Sequence, residues 1–398
     1  MAEWELPSRG VVFWPVGNGD STTIVVDEDT VIQVDLCQYD ESREDDDPRV
    51  PVVDRLAEVL PRADDGKTPR LTVLAISHHD RDHCSGFDEM CGDGFQVDEM
   101  WLTLRSFVED KNGDGLSAEG QMVYDEAKRR RDVEITASTN NKRAPVGDRL
   151  RIIGREDLLN DDDWKDFPVG LVTRAGNLIP CINDEDRSDV IDVFIHTPFH
   201  EPEGDDDRNS SSLGMRVTLK DGDCERKFLL LGDLDHAKVE AFVEKSIDRG
   251  NEEHLPWDYL LAPHHGSRNA VMEKKNGNTW VKADAYADLE KHMEAGAQII
   301  ISARSIDDVG SEDTDPPHQE AIDAYKEMAG TDKVLLTADY AKGNDSEPVV
   351  IEVTTESCGE CRESKRAWRA RVGSMAALSG DTIRKGESQG ASGRQEYA

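Results

Sequence analysis

Positive charge is what this 398-residue chain has least of: 47 Lys and Arg stand against 84 Asp and Glu, a formal net charge of −37. The acidic residues are spread along the chain rather than gathered in one tail, so the surface keeps the protein soluble and repels polyanions, nucleic acid included. Such a surface also suits a high-salt cytoplasm, where the Debye length falls to roughly 3 Å at 1 M. Long apolar runs are missing as well, and none approaches the roughly 20 residues of a membrane span. The opening "MAEWELPSRGVVFW" has no apolar core flanked by basic residues, so no secretory signal is expected. Cysteine is sparse and odd in number, seven residues scattered from Cys37 to Cys361, which suits reduced thiols rather than a disulfide framework. Hydrophobic residues make up 37%, low but enough for one large layered domain or two ordinary ones. These features together predict a soluble cytoplasmic protein with no membrane association.

What is present is a series of short β-rich runs. "GVVFWPV" (10–16), "STTIVV" (21–26) and "TVIQVDL" (30–36) open the chain, with the loop "GNGD" between the first two. "VVDRLAEVL" (52–60) is amphipathic and reads as a helix. "LTVLAIS" (71–77) is a continuous apolar run of strand length, as expected for a strand covered on both faces. "MWLTL" (100–104) is another strand and 117–132 a charged helix, after which 154–189 read as an irregular insertion. Strand signals return at 190–197, 213–219, 227–233, 259–263, 297–303, 333–338 and 349–353, with helices at 236–247 and 318–328. Hairpin-like clusters of strands, each half closed by helices, predict two sheets sandwiched between helices. The domain is expected over residues 1–355, with 356–398 a polar, disordered tail.

The densest chemistry lies directly after "LTVLAIS", in the series His78-His79-Asp80-Arg81-Asp82-His83. A sharp turn leaving a buried strand can aim His78, Asp80, Asp82 and His83 into one space. Imidazole and carboxylate at these spacings suit a pair of divalent ions. A solvated polar turn would explain one such residue, but not four ligand types in six positions.

This segment resembles the metal-binding motif of the metallo-β-lactamase superfamily, usually His-x-His-x-Asp-His, with Asp80 in place of the second His. Other pieces follow in the family's order. "GNGDSTTIVV…VIQVDL" resembles the opening hairpin, with Asp35 ending a strand beside the metals, and "FLLLGD" resembles the strand ending in the bridging Asp, here Asp233. "LAPHHGS" (261–267), "NSSS" (209–212) and "DPPHQEAIDAY" (315–325) resemble elements of the ComEC-like hydrolase subgroup. The resemblance spans about residues 11–354. It implies an α+β, four-layer αββα metallo-β-lactamase sandwich and a metal-dependent hydrolase. Two zinc or manganese ions would share a bridging hydroxide, and the carboxylate of Asp80 moves the preference toward manganese.

By the same resemblance, the ligands are His78, Asp80, Asp82, His83, Asp233, His265 and His318. Asp82 and His264 act catalytically, and Asn209, Ser212 and Ser267 contact substrate. His196 and His200 read as structural. The ComEC-like motifs imply phosphodiester cleavage, on DNA or a nucleotide. Hydrolysis of a small ester, thioester or lactam, or a non-catalytic interaction role on the same fold, are the alternatives.

Weaker signals surround this core. "DKNGDGLSAEGQ" (110–121) partly matches a calcium loop, but Gln121 and Ser117 depart from it. "SCGEC" (357–361) is a lone CxxC, and the basic stretch after it, around Trp368, could contact an anionic partner or balance the protein's own charge. The aspartate-rich loops are read as solvated faces.

Overall fold

Strand β1 (Gly10–Phe13) turns Val11 and Phe13 to one side and Val12 to the other, and all three are buried, so this strand is covered on both faces. The same holds for β4 (Arg70–Ile76), where Leu74 and Ile76 face outward and Val73 and Ala75 inward. A fully apolar strand of this kind needs a layer on each side, and the rest of the chain supplies both. The structure is a computed structural model that describes residues 5–107, 116–154, 162–199, 209–275, 279–306, 315–341 and 346–355. Positions 110–115 of the calcium-loop match, His200, the acidic run 205–207 and the tail 356–398 with its CxxC lie outside the described residues.

The first sheet adds β2 (Thr22–Val25), β3 (Val31–Val34), β5 (Gln96–Thr103), β6 (Arg149–Ile153), β7 (Val172–Thr173) and, from the far end of the chain, β16 (Val349–Glu352). Its order is β16-β1-β2-β3-β4-β5-β6-β7, antiparallel from β16 to β3 and parallel from β3 onward. The second sheet runs β15-β14-β11-β10-β9-β8, built from β8 (Ile191–Thr197), β9 (Gly214–Asp221), β10 (Cys224–Leu230), β11 (Trp257–Leu261), β14 (Met293–Ile301) and β15 (Val334–Leu336). Here β10, β11, β14 and β15 are mutually parallel. A separate ribbon pairs β12 (Met272–Lys275) with β13 (Thr279–Lys282).

Three apolar layers hold these parts together. Val11, Phe13, Val73 and Ala75 of the first sheet meet Phe228, Leu230, Tyr259 and Leu261 of the second in the middle layer. Helices α1 (Val52–Val59) and α2 (Ala118–Ser138) cover the outer face of the first sheet through Val53, Leu56, Val123 and Ala127. Helices α3 (His236–Asp248), α4 (Asp284–Lys291) and α5 (Gln319–Ala329) cover the second through Phe242, Leu289 and Tyr325. The fold is therefore the expected α+β, four-layer αββα sandwich. No helix among the described residues is long and apolar enough to cross a membrane.

Within the expected insertion 154–189, Trp164, Phe167 and Leu171 pack into the outer core and β7 completes the sheet edge, so that stretch is in part structural. Strands β6 and β7, the ribbon and α4 were not expected. In β6 the alternation carries Arg149 and Arg151, which read as polar. Yet Arg151 is fully buried, with Nη1 3.3 Å from Thr173 Oγ1 and Nε 3.8 Å from the buried Glu99. Four cysteines, Cys37, Cys84, Cys91 and Cys181, are free thiols as expected, whereas Cys224 is disulfide-bonded.

Truncating a side chain in the middle layer tests this packing. Phe228 is fully buried and stacks on Tyr259 with ring centroids 4.9 Å apart. Phe228→Ala is expected to cost about 3–5 kcal/mol in urea unfolding, and a midpoint shift worth under ~1 kcal/mol would refute the two-sheet core.

Candidate metal centre

Two parallel strand pairs, one from each sheet, end side by side at one rim of the sandwich. β3 leads into Asp35 and β4 into Ser77 and His78, while β10 leads into Asp233 and β11 into His264 and His265. The Leu213 N–H donates to the Ser77 carbonyl at 3.0 Å and ties the two rims together. Side chains leaving parallel strands at their carboxyl ends share one space for the same reason that ligand sites of α/β sheets form there.

The backbone at this rim is bent into the left-handed region where the side chains require it. Six non-glycine residues among those described have positive φ, and three of them are Asp35 (54°), His264 (49°) and His265 (52°). Consecutive left-handed residues at 264–265 cost free energy, and they let both rings point back toward Asp233. Gly19 (φ 144°) serves a related purpose: a Cβ there would lie 2.4 Å from Cys37 Sγ and 2.7 Å from the Asp82 carbonyl. Only glycine lets the 17–20 loop sit against the His-Asp turn and place Asp20 in the site.

Asp233 is the centre of the arrangement. Its Oδ1 lies 3.2 Å from His83 Nε2 and 3.6 Å from His265 Nε2, and its Oδ2 lies 3.8 Å from His78 Nε2 and 3.7 Å from His264 Nε2. Asp82 Oδ2 is 3.2 Å from His265 Nε2, and Asp80 Oδ2 is 3.6 Å from His78 Nε2. Seven of the expected residues therefore meet, in two sets that share Asp233. One set is Asp82, His83 and His265, and the other is His78, Asp80 and His264.

Ligands of a tetrahedral ion bound at about 2.0–2.2 Å lie about 3.3–3.6 Å apart, close to these separations. His78 Nε2, His83 Nε2, His265 Nε2 and Asp233 Oδ1 are buried with no hydrogen-bond partner. Four buried polar atoms in that condition would each cost about 1–3 kcal/mol, and aimed at common points they fit divalent cations.

His78 and His83 are hydrogen-bonded from behind through Nδ1, and His265 Nδ1 has the Asp20 carboxylate beside it. Asp35 Oδ2 lies 2.8 Å from His83 Nδ1, and Asp35 itself accepts from the Ser77 N–H at 2.6 Å and the Ser77 hydroxyl at 2.7 Å. Asp20 Oδ1 lies 3.4 Å from His265 Nδ1, and Ser77 Oγ and Ser212 Oγ lie 3.0 and 3.4 Å from His78 Nδ1. Carboxylates and hydroxyls behind ligand imidazoles fix ring orientation and leave Nε2 for the metal. Asp20, His83, Asp233 and His265 present donor atoms all within 4.8 Å of one another. Since Asp20 faces Nδ1, its place is behind His265 rather than at the metal. The sequence reading missed Asp20; its only signal was the "GNGD" loop between two strands.

The charges agree with this geometry. Burial alone would lower the His83 and His265 pKa values, but the carboxylates of Asp233, Asp35, Asp82 and Asp20 reverse this. His83 is raised well above its ordinary value and His265 to about 10. Burial would raise Asp233 and Asp82, and the histidines instead hold both well below the usual carboxylate range. The carboxylates of Asp20, Asp35, Asp82 and Asp233 make the pocket a concentrated negative field.

The remaining expected residues fall elsewhere. Ser212 is fully buried behind His78 and its Oγ also accepts from the Asp233 N–H at 3.4 Å, so it orients ligands rather than meeting substrate. Asn209 lines a cavity of about 430 Å³ together with Asp233 and His264. Ser267 and His318 line an adjoining cavity of about 350 Å³ that also includes His264. His318 Nδ1 accepts the Arg268 N–H at 3.3 Å, which in the neutral ring leaves the proton on Nε2. His196 is buried against Phe194 and Phe242, its Nε2 3.2 Å from the His254 carbonyl, and burial with Arg216 nearby lowers it to about 3. It is structural, as expected.

No protein-family model matches the chain, and no curated protein matches it. Among solved structures it is similar to Zn²⁺-bound PqqB from Methylobacterium extorquens, at 8% identity over 80% of this chain and 84% of that one, TM-score 0.35. It is also similar to the B3 metallo-β-lactamase described as the first with an active-site glutamic acid (10% identity, 72% and 86% covered, TM-score 0.33). A third is BJP-1, a subclass B3 metallo-β-lactamase of Bradyrhizobium japonicum (14% identity, 73% and 92% covered, TM-score 0.28).

Imidazole binds a metal only in its neutral form. With the His83 and His265 pKa values held above the ordinary range, loading with zinc or manganese is expected to release protons, and affinity should rise with pH. Calorimetry in two buffers of different ionisation enthalpy counts the protons, and a count of zero would refute the charge state described.

Proposed function

We propose that this chain is a metal-dependent hydrolase and that phosphodiesters are its substrates. The observation that carries the reading is the convergence of four histidine Nε2 atoms on the two oxygens of one buried carboxylate, Asp233. His78, Asp80 and His264 would hold one ion with Asp233 Oδ2, and Asp82, His83 and His265 a second with Oδ1. Four imidazoles and three carboxylates among the donors accommodate zinc or manganese. Bound there, divalent ions would supply Lewis acidity and bring the pKa of water toward neutrality.

The chain's own residues do the rest. Asp35, Asp20 and the Ser77 and Ser212 hydroxyls keep the imidazoles in one tautomer and orientation, so no reorganisation is needed as charge develops. Asp82 is about one third exposed, so its carboxylate can orient an attacking water and accept its proton. His318 is positioned to donate from Nε2 to a substrate oxygen or to the leaving group. The Asn209 side chain can contact an anionic oxygen, and Ser267 can do so through its hydroxyl hydrogen. Every candidate donor lies between residues 20 and 318, within the hydrolase domain proposed over 1–355. The overall charge of −37 opposes long nucleic acids at low salt, so recognition must rest on cations next to the site.

Hydrolysis of bis-p-nitrophenyl phosphate with manganese or zinc tests the reading, and a metal-loaded chain without this activity would overturn it. Asp82→Ala should fall below a tenth of the wild-type rate with unchanged circular dichroism. His318→Ala should slow turnover about 10²–10⁴-fold, as for loss of a general acid, while elemental analysis finds the full metal content. Loss of metal in His318→Ala would instead make it a ligand.

A further inference from the structure

The ribbon β12–β13 is hydrogen-bonded to neither main sheet, and a free two-stranded ribbon is marginal in water. It is rooted by Met272, which packs on the outer core of the second sheet, and by the Ala283 N–H donating to the Val271 carbonyl at 3.0 Å. What it carries is a tryptophan. Of the five tryptophans among the described residues, Trp14, Trp101, Trp164 and Trp257 are buried, and Trp280 alone is half-exposed. Trp280 lines both cavities described above, the one that includes Asp233 and the one that includes His318.

Two cations lie over this ring, so a planar ligand that stacks on it takes the place of one of them. The Arg268 guanidinium carbon is 4.8 Å and Lys274 Nζ 5.0 Å from its centroid, and Lys274 is its direct cross-strand partner. Acidic residues share the lining, but two are engaged: Asp235 caps α3 by accepting from the Lys238 N–H at 3.0 Å, and Glu273 pairs with Lys275 at 2.6 Å. Arg268 has one ion pair, with the exposed Glu320 at 3.4 Å. In a chain of charge −37, a half-buried indole with two cations beside the candidate metal centre suits a flat ring joined to an anion.

We propose that Trp280 stacks a nucleobase of the substrate while Lys274 and Arg268 hold its phosphate, which makes the substrate a nucleotide phosphodiester. This rests on the hydrolase reading for its location and not for its chemistry. Base stacking on an aromatic side chain contributes about 1–3 kcal/mol and tolerates any base, so Trp280 sets substrate class rather than sequence.

The test separates the two readings. In metal-loaded protein, Trp280→Ala should weaken equilibrium binding of thymidine 5′-monophosphate about 5–150-fold. It should raise KM for thymidine 5′-(p-nitrophenyl phosphate) similarly, with kcat and metal content unchanged. Methyl p-nitrophenyl phosphate, which has no base, should lose no kcat/KM. Trp280→Phe should restore most of the binding, and Lys274→Ala should reduce its salt dependence. Binding that tightens from thymidine monophosphate to a thymidine decamer assigns a strand as substrate, and equal affinity assigns a free nucleotide. Wild-type protein that does not bind the monophosphate, or a Trp280→Ala protein that binds it as tightly, overturns the proposal even if hydrolysis stands. Trp280-dependent binding without any hydrolysis keeps Trp280 as a base-stacking nucleotide site and removes the hydrolase reading together with the substrate assignment.

Discussion

One buried carboxylate sets the terms for the rest of this structure. Asp233 lies where the two sheets meet, and a charge in such a place is tolerated only with close compensation. His78, His83, His264 and His265 supply it, and each makes its own demand. Two need a left-handed backbone, and the buried three need a polar group behind Nδ1. Asp35 is held by Ser77, and Asp20 is brought in by a loop that only Gly19 permits. The polar network grows outward from one requirement, and its outer members include residues with no chemistry of their own.

This explains which parts of the site were legible in the sequence. His78, Asp80, Asp82 and His83 stand on one short turn after an apolar strand, so local spacing reveals them. Asp233 and the 264–265 pair could be placed because each follows an apolar strand and matches a known motif order. Asp20 could not be found that way. An aspartate in a Gly-Asn-Gly-Asp loop looks like turn chemistry, and its role depends on a histidine 245 positions away. The expected roles of Ser212 and His318 depended on which way a side chain faces, and spacing carries no such information. Ser212 looks inward at His78, and His318 spends its Nδ1 on a backbone N–H.

The fold was legible where the hydrophobic pattern was strong and illegible where charge was buried. The apolar strands and the amphipathic α1, α3 and α5 lie close to their expected positions. β6 did not announce itself, because Arg149 and Arg151 alternate with its apolar residues. α2, expected as a charged helix over 117–132, is nearly uniform in polarity around its circumference and is docked by buried ions as well as by Val123 and Ala127: Glu134 accepts from the Ala144 and Leu150 N–H groups at 3.1 and 3.0 Å, and Arg143 bridges Glu134 to Glu99. A composition so rich in Asp and Glu makes such networks an available way of filling an interior. Their signature in sequence is the same as that of a solvated surface.

The pairing of β16 with β1 has a consequence for synthesis. Gly10–Phe13 finds its second neighbour only at Val349–Glu352, so the outermost strand of the first sheet keeps an apolar, unpaired edge until nearly all of the described chain has been made. At roughly 5–20 residues per second that interval is on the order of tens of seconds. An open "GVVF" edge is a template for pairing with the same segment of another nascent chain. The excess of negative charge opposes association of such chains during this interval, when the sheet is most vulnerable to misassembly.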